Sequence, residues 1–409
     1  MKTDIYDLIV VGAGAAGMVA AICSARDGKN VLLLEKLPQV GAKLKATGGG
    51  RCNLTNTLSQ DDFMTKFGRD GRFMQDALRA FSSSDLQEFM LSLGVTTHAP
   101  DGFRVFPSTH SSSTIISAFV NELQKLDVTC LTSQKVQDIL TLDAKVVGVK
   151  TSIEEFSSTH VLLATGGLGY PTLGAEGDGY KISSELGHTT TALHPAMMPL
   201  RTKETWVSEC RADTIANATL KVDMKKHKKL RIRDDLIFTK TGIRGPAVLD
   251  FARDITPLID KYSEVPILVN MTKGMNEDEI INHLKNTQLP SILERVNTLL
   301  PLALSQELCK LAGIDFETKY TDLQGKNKAK LISLLAWTPL TITGHDGFKM
   351  AMITRGGISL KEIDPKTMQS KLVKGLYFCG ELMNLDGPCG GYNLQWSFSS
   401  GYLASKLKT

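Results

Sequence analysis

Three glycines in the run Gly12-Ala13-Gly14-Ala15-Ala16-Gly17, and a glutamate, Glu35, eighteen residues beyond the last of them, are the residues of this 409-residue chain best placed for binding chemistry. Gly12 permits a tight turn. Gly14 lets a pyrophosphate approach the backbone with no Cβ in the way, and Gly17 lets a helix pack closely on a strand. The helix that follows offers unpaired N–H groups and a partial positive charge to the phosphates. A carboxylate at the Glu35 offset accepts hydrogen bonds from both ribose hydroxyls and repels a 2′-phosphate. These residues together point to a dinucleotide other than NADP.

Certain elements must exist for these residues to meet. Residues 6–11 read as a strand buried on both faces, residues 15–27 as a helix of small residues, and residues 31–34 as a second buried strand ending at Glu35. That is one βαβ unit of ordinary size. A polar, glycine-rich loop follows at 47–56, TGGGRCNLTN, and then residues 63–93 read as helical. Residues 128–131 read as a strand, 136–140, 145–151 and 153–157 as a β-meander, and 161–164 as another buried strand. After His188 the composition changes: residues 190–270 alternate β-like pieces with basic patches, and 276–335 are leucine-rich at helical spacing. A buried strand at 375–379 and a glycine-rich turn then lead into a last helix.

Two of these strand ends belong to the same crevice as the first turn. They are Leu163-Ala164-Thr165-Gly166-Gly167 and the run GLYFCGE from Gly375 to Glu381. A nicotinamide dinucleotide domain needs neither. A longer dinucleotide, with a ribityl chain and a three-ring head, needs contacts from both ends of the sequence, so the expected cofactor is FAD. The fold class expected is α/β: a Rossmann-like FAD-binding domain with a central parallel sheet and a β-meander, interrupted by an inserted β-rich subdomain and a helical subdomain. The expected boundaries are 1–189, 190–275, 276–335 and 336–409.

Taken together, the first turn, Glu35, TGGGRCNLTN, ATGG at 164–167 and GLYFCGELMNLDGPCGGYNLQWSFSSGYLAS from Gly375 resemble the bacterial BaiN/YhiN-like flavoproteins. Those belong to the wider glutathione-reductase-type and fumarate-reductase-type FAD fold, and the likeness extends to FTKTGIRGPAVLD in the middle of the chain. The resemblance implies Gly12, Gly14, Ala16 and Gly17 at the pyrophosphate, and Glu35 and Lys36 at the adenosine ribose. It implies Lys43, Thr47, Gly48 and Gly49 near the phosphates or flavin, and the backbone of Val136 at the adenine. Ala164, Thr165, Gly166 and Gly167 would line the ribose side, and Gly380 and Glu381 the ribityl chain. Asp386, Gly391, Tyr392, Asn393 and Leu394 would surround the isoalloxazine. A helix opening at Tyr392 would aim its N-terminus at the N1–C2 carbonyl and stabilise the anionic reduced ring.

The implied reaction moves a hydride between flavin N5 and a small-molecule substrate. Reduction of an activated C=C bond in a steroid-like enone and oxidation of an amine by oxygen both stay open. There is no second G-x-G-x-x-G, so NADH or NADPH would visit the flavin only as a transient donor. Lys240 and Arg244 stand where the family usually has His and Ser. They either polarise a substrate carbonyl or are exposed basic side chains of a turn. The catalytic proton donor is unassigned.

Bulk properties exclude other classes. The net charge of +4 is small for this length, so no nucleic acid and no membrane is expected as partner. The run 225–233, KKHKKLRIR, reads as a solvated hairpin face, with RNA contact as the competing function class and a flavin-binding regulator without turnover as a third. Residues 8–25 are uncharged and about long enough to span a bilayer, but their glycines and the preceding Asp7 mark a strand, turn and helix. A cytoplasmic location follows as the expectation. The seven scattered cysteines form no CxxC pair, and the lone His194 and His345 have no partner at ligand spacing. Reduced thiols and no metal site are expected.

Overall fold

A four-residue apolar run with no polar face makes a stable strand only where both faces are covered. Leu8–Val11 and Val31–Leu34 are two such runs, buried along their whole length. In the computed structural model, which describes residues 5–408, they lie side by side in a five-stranded parallel sheet. Its order is Leu376–Phe378, Val161–Leu163, Leu8–Val11, Val31–Leu34, Thr129–Leu131. All five strands run the same way, so segments from both ends of the chain present their carboxyl ends along one edge. The first helix, Ala15–Arg26, is buried from Ala16 to Ser24. It meets the last helix, Tyr392–Ser405, backbone against side: a Cβ on Gly401 would lie 2.4 Å from the carbonyl oxygen of Ala16. The meander of Val136–Leu142, Lys145–Thr151 and Glu155–Ser158 pairs antiparallel in chain order, and its last strand takes Ile5–Tyr6 in parallel.

The residues up to Leu193, with those from Ile353 onward, make one compact unit, and His194–Met352 make a second. Each has its own apolar core. The chain leaves and re-enters the first unit at neighbouring points, for a Cβ on Gly356 would lie 2.1 Å from the carbonyl oxygen of Ala192.

The second unit is a closed antiparallel barrel ordered Leu200–Thr202, Gly242–Arg244, Arg231–Phe238, Thr214–Val222, Val265–Asn270, Thr338–His345. The sequence reading separates a β-rich piece, 190–275, from a helical piece, 276–335, and returns to the cofactor domain at 336. In the structure, barrel residues such as Val269 and Leu340 share one core with Leu284, Leu304 and Leu335 of the helices. Thr338–His345 closes the barrel by pairing with Val265–Asn270 and Leu200–Thr202. The helical stretch expected at 63–93 is broken into Gln60–Thr65, Gly68–Met74, Gln75–Ala80 and Ser83–Ser92. The last break is a capping box, in which Ser82 Oγ accepts from the Asp85 N–H and the Asp85 carboxylate accepts from the Ser82 N–H. Among the described residues no helix is long and apolar enough to cross a membrane.

Candidate functional site

The glycines of the first turn answer to different demands. Gly12 has φ +104°, and a Cβ there would sit 2.6 Å from the carbonyl oxygen of Ala164. A Cβ on Gly17 would sit 1.9 Å from the carbonyl oxygen of Gly12. Both are required by the protein's own packing. Gly14 is not: no heavy atom lies within 4 Å of where its Cβ would be. It is the N-cap of Ala15–Arg26 and provides no side-chain cap, so bare space lies beside an uncapped helix N-terminus. That is the cradle a pyrophosphate requires.

Glu35 stands at the carboxyl end of the neighbouring strand and latches the turn. Its Oε2 accepts from the Ala13 N–H at 2.9 Å, and its Oε1 from the Leu37 N–H at 2.9 Å. Each carboxylate oxygen keeps a further lone pair for a ribose hydroxyl. Gln134 lies alongside: its N–H donates to the Glu35 carbonyl at 2.9 Å, and its side-chain oxygen is buried with no partner among the described residues. Val136, also buried, starts the meander two residues on. Lys36, expected at the ribose, is engaged elsewhere. Its ammonium donates to Glu176 at 2.7 Å and Asp178 at 2.5 Å, and Lys135 reaches Asp178 at 2.8 Å. Partial burial pushes the Asp178 carboxyl up, but the hydrogen bonds from Lys135 and Lys36 outweigh it and hold the group below its ordinary pKa.

Further along the same edge, Lys43 Nζ donates to Glu381 Oε2 at 2.7 Å, and Glu381 Oε1 accepts from the Thr354 N–H at 2.8 Å. A Cβ on Gly167 would strike the Thr354 hydroxyl at 2.4 Å and Glu381 Oε1 at 2.7 Å. Gly380 donates its N–H to the Ser400 hydroxyl at 2.9 Å and faces the Ala16 methyl. Thr47 turns its hydroxyl back to the Leu44 carbonyl. Gly49 and Gly166 face open space, the Gly48 position lies against Asn53, and the buried Thr165 hydroxyl has no partner among the described residues. Residues 12–17, 43, 164–167 and 380–381 therefore come together along the carboxyl edge of the parallel sheet.

The two most distinctive loops hold each other. The Asn56 amide donates to the Gly390 carbonyl at 2.8 Å, and a Cβ on Gly391 would lie 2.4 Å from the Thr55 carbonyl oxygen. Asn393 clamps the loop before the last helix, accepting from the Gly387 N–H at 2.8 Å and donating to its carbonyl at 2.9 Å. The Tyr392 ring is buried, 4.9 Å from the Phe63 ring and 6.2 Å from Phe67. The side chains of Tyr392 and Asn393, expected around a flavin ring, thus serve the loop's own architecture. Gly391, buried against Thr55, is the N-cap residue of Tyr392–Ser405. Asp386 and Leu394 flank this loop half-buried. Cys52 closes the TGGGRC turn, where burial pushes its thiol up to about 11. It is a neutral thiol at physiological pH.

In the second unit, Lys240 and Arg244 are exposed. The glycines between and after them are set by barrel packing, with Cβ positions 2.1 Å from the Leu200 carbonyl oxygen at Gly242 and 2.7 Å from that of Asp235 at Gly245. Sequence reasoning missed Gln134 and Thr354. Neither lies in a motif, and Thr354 acts on residues 27 and 186 positions away.

The residues present fit FAD on four counts: the bare space at Gly14, Gly49 and Gly166, the helix N-terminus after Gly14 with no side-chain cap, and the Thr165 hydroxyl and Gln134 acceptor that have no partner among the described residues. Comparison with known proteins agrees. The model of the HI0933-like protein Rossmann domain matches residues 6–407. The chain is 30% identical over 403 residues to the 3-dehydro-bile acid delta(4,6)-reductase of Clostridium scindens, covering 97% of each. It is 28% identical over 410 residues to the ribosomal RNA dihydrouridine synthase of Escherichia coli, covering 98% of this chain and 97% of that one. Among solved structures, a flavocytochrome c3 fumarate reductase in its open conformation superposes with TM-score 0.53 at 18% identity, over 99% of this chain and 78% of that one, a likeness of fold. The low net charge had argued against a nucleic-acid partner. A full-length relative named for ribosomal RNA removes that exclusion.

Proposed function

The chain belongs to the HI0933-like protein family and is an FAD-dependent oxidoreductase, and we propose that the bond it reduces is a C=C conjugated to a carbonyl. One observation carries this reading: two near-full-length relatives are named for different molecules but for the same kind of bond. The delta(4,6) bonds of a 3-dehydro-bile acid are conjugated to its ring ketone. The bond saturated in making dihydrouridine is conjugated to a uracil carbonyl. Both are electron-poor at the carbon β to the carbonyl.

When bound and reduced by two electrons from NADH or NADPH, the flavin would supply the hydride for that β-carbon, and the α-carbon would take a proton. The chain's own part is to bind, orient and bias. Gly14 and the uncapped start of Ala15–Arg26 would take the pyrophosphate. Glu35 would take the ribose through its spare lone pairs, and Gln134 with the backbone at Val136 would take the adenine. The Lys43–Glu381 pair would lie along the ribityl span, with its charges already balanced. The N-terminal end of Tyr392–Ser405, preceded by Gly391, would stabilise negative charge on the reduced ring through the helix dipole, without a charged side chain.

The test is anaerobic. The yellow protein is bleached with NADH and with NADPH in turn, then mixed with a 3-oxo-Δ4 steroid, with cyclohexenone, and with a uridine-containing RNA. Return of the oxidised spectrum with one conjugated acceptor, and a product heavier by two hydrogens, is the expected result. Return only with oxygen, after reduction by an amine, would overturn the reading.

A further inference from the structure

The chain's positive charge is concentrated. Residues 221–233 carry seven Lys and Arg against one acid, Asp223. The second unit as a whole has 23 Lys and Arg against 19 Asp and Glu, so without this stretch it would be acidic, and the first unit balances at 24 of each. An average over the whole chain hides this.

The fold holds these charges in place. Thr214–Val222 and Arg231–Phe238 form an antiparallel hairpin. Its tip is tied by hydrogen bonds from the Val222 N–H to Leu230, the His227 N–H to Met224, and the Leu230 N–H to His227, at 2.9 to 3.0 Å. Met224, Leu230 and Ile232 turn in against the barrel core. That leaves Lys225, Lys226, Lys228, Lys229, Arg231 and Arg233 exposed. Lys221 faces Arg231 directly across the strands, and its ammonium sits 3.6 Å over the Trp337 ring. Among the described residues no acid forms a salt bridge with the six exposed cations. Like charges held this close repel one another, so the hairpin carries a cost that a polyanion would offset.

We propose that this hairpin is a docking surface for RNA, gripping the phosphate backbone. The proposal rests on the reductase reading above and deepens it by naming a polynucleotide as the carrier of the conjugated bond. Two features favour RNA over an anionic membrane. The tip offers no exposed apolar side chain for insertion. Arg231 and Arg233, on one face of their strand, carry planar forks that suit phosphate oxygens, although Arg233 gives one N–H to the Lys273 carbonyl at 3.0 Å. A backbone-gripping surface also gains affinity by releasing counterions, which a run of cations without acidic partners provides.

The test uses the flavin-loaded full chain and a fluorescently labelled, uridine-containing stem-loop RNA, titrated over a series of salt concentrations. Lys228→Ala/Lys229→Ala should weaken binding and lower the slope of log affinity against log salt by about 2, about 1 per lysine. Flavin absorbance should be unchanged, and Lys125→Ala in the first unit should have no effect. No binding by the parent protein, an unchanged slope in the double variant, or binding of phosphatidylserine vesicles without RNA would overturn the proposal. The two readings fail separately. RNA bound but never converted to dihydrouridine keeps the docking surface and removes the reductase reading for that substrate. A small enone reduced equally by parent and variant, with no RNA bound, does the reverse.

Discussion

Both carboxylate oxygens of Glu35 are hydrogen-bonded to the backbone around the first turn. Glu35→Ala should therefore do two things: release FAD, read as lost visible absorbance after gel filtration, and destabilise the fold by about 1–3 kcal/mol through the orphaned N–H groups of Ala13 and Leu37. Loss of colour with an unchanged melting temperature would contradict the latch. Asp178 gives a pH prediction. Its folded-state pKa lies below the ordinary value, so its ion pairs contribute stability above that ordinary value and lose it as the pH falls through the lower folded one. The melting advantage of the parent over Asp178→Asn should shrink below about pH 4. The sequence showed that Glu35 belongs at the turn, because its offset from Gly17 follows from the length of one helix and one strand. It did not show that Lys36 is drawn away to Glu176 and Asp178, because pairings across 140 residues leave no local trace. Nor did it show that the Tyr392 ring belongs to Phe63 and Phe67.

At the scale of elements, the turn separates what the fold needs from what the cofactor needs. Gly17→Ala would place a methyl 1.9 Å from a backbone oxygen and should cost about 3 kcal/mol or more. Gly14→Ala meets nothing and should cost less than about 1 kcal/mol, yet leave the protein colourless. Thermal melts with flavin absorbance on both variants check this, and a yellow Gly14→Ala protein would count against the pyrophosphate site. Four of the five strands of the parallel sheet were legible because short, continuous apolar runs buried along their whole length admit few other structures. The helix Pro246–Tyr262 was not, since Pro257 lies inside it and its neighbours on both sides are strands. The break at Ser82 was also missed, although the Ser82–Asp85 spacing is a capping signal.

At the scale of the molecule, every residue assigned to the cofactor lies in the first unit, and that unit has a core of its own. Replacing His194–Met352 with a short glycine–serine link should leave a yellow protein with the visible spectrum of the parent. A colourless, soluble product would show that the second unit takes part in holding FAD. The change of composition near His188 announced that an insertion begins. Its return point was harder to read, because Thr338–His345 has the same alternating pattern whichever sheet it joins.

The near-touch of Ala192 and Gly356 bears on descent as well as on folding. Where departure and return share one narrow neck, a single recombination can replace everything beyond it without re-threading a strand or disturbing the flavin bed. The kin named for a bile acid and for a ribosomal RNA align along nearly all of this chain, so between them the inserted unit has diverged in place rather than been exchanged.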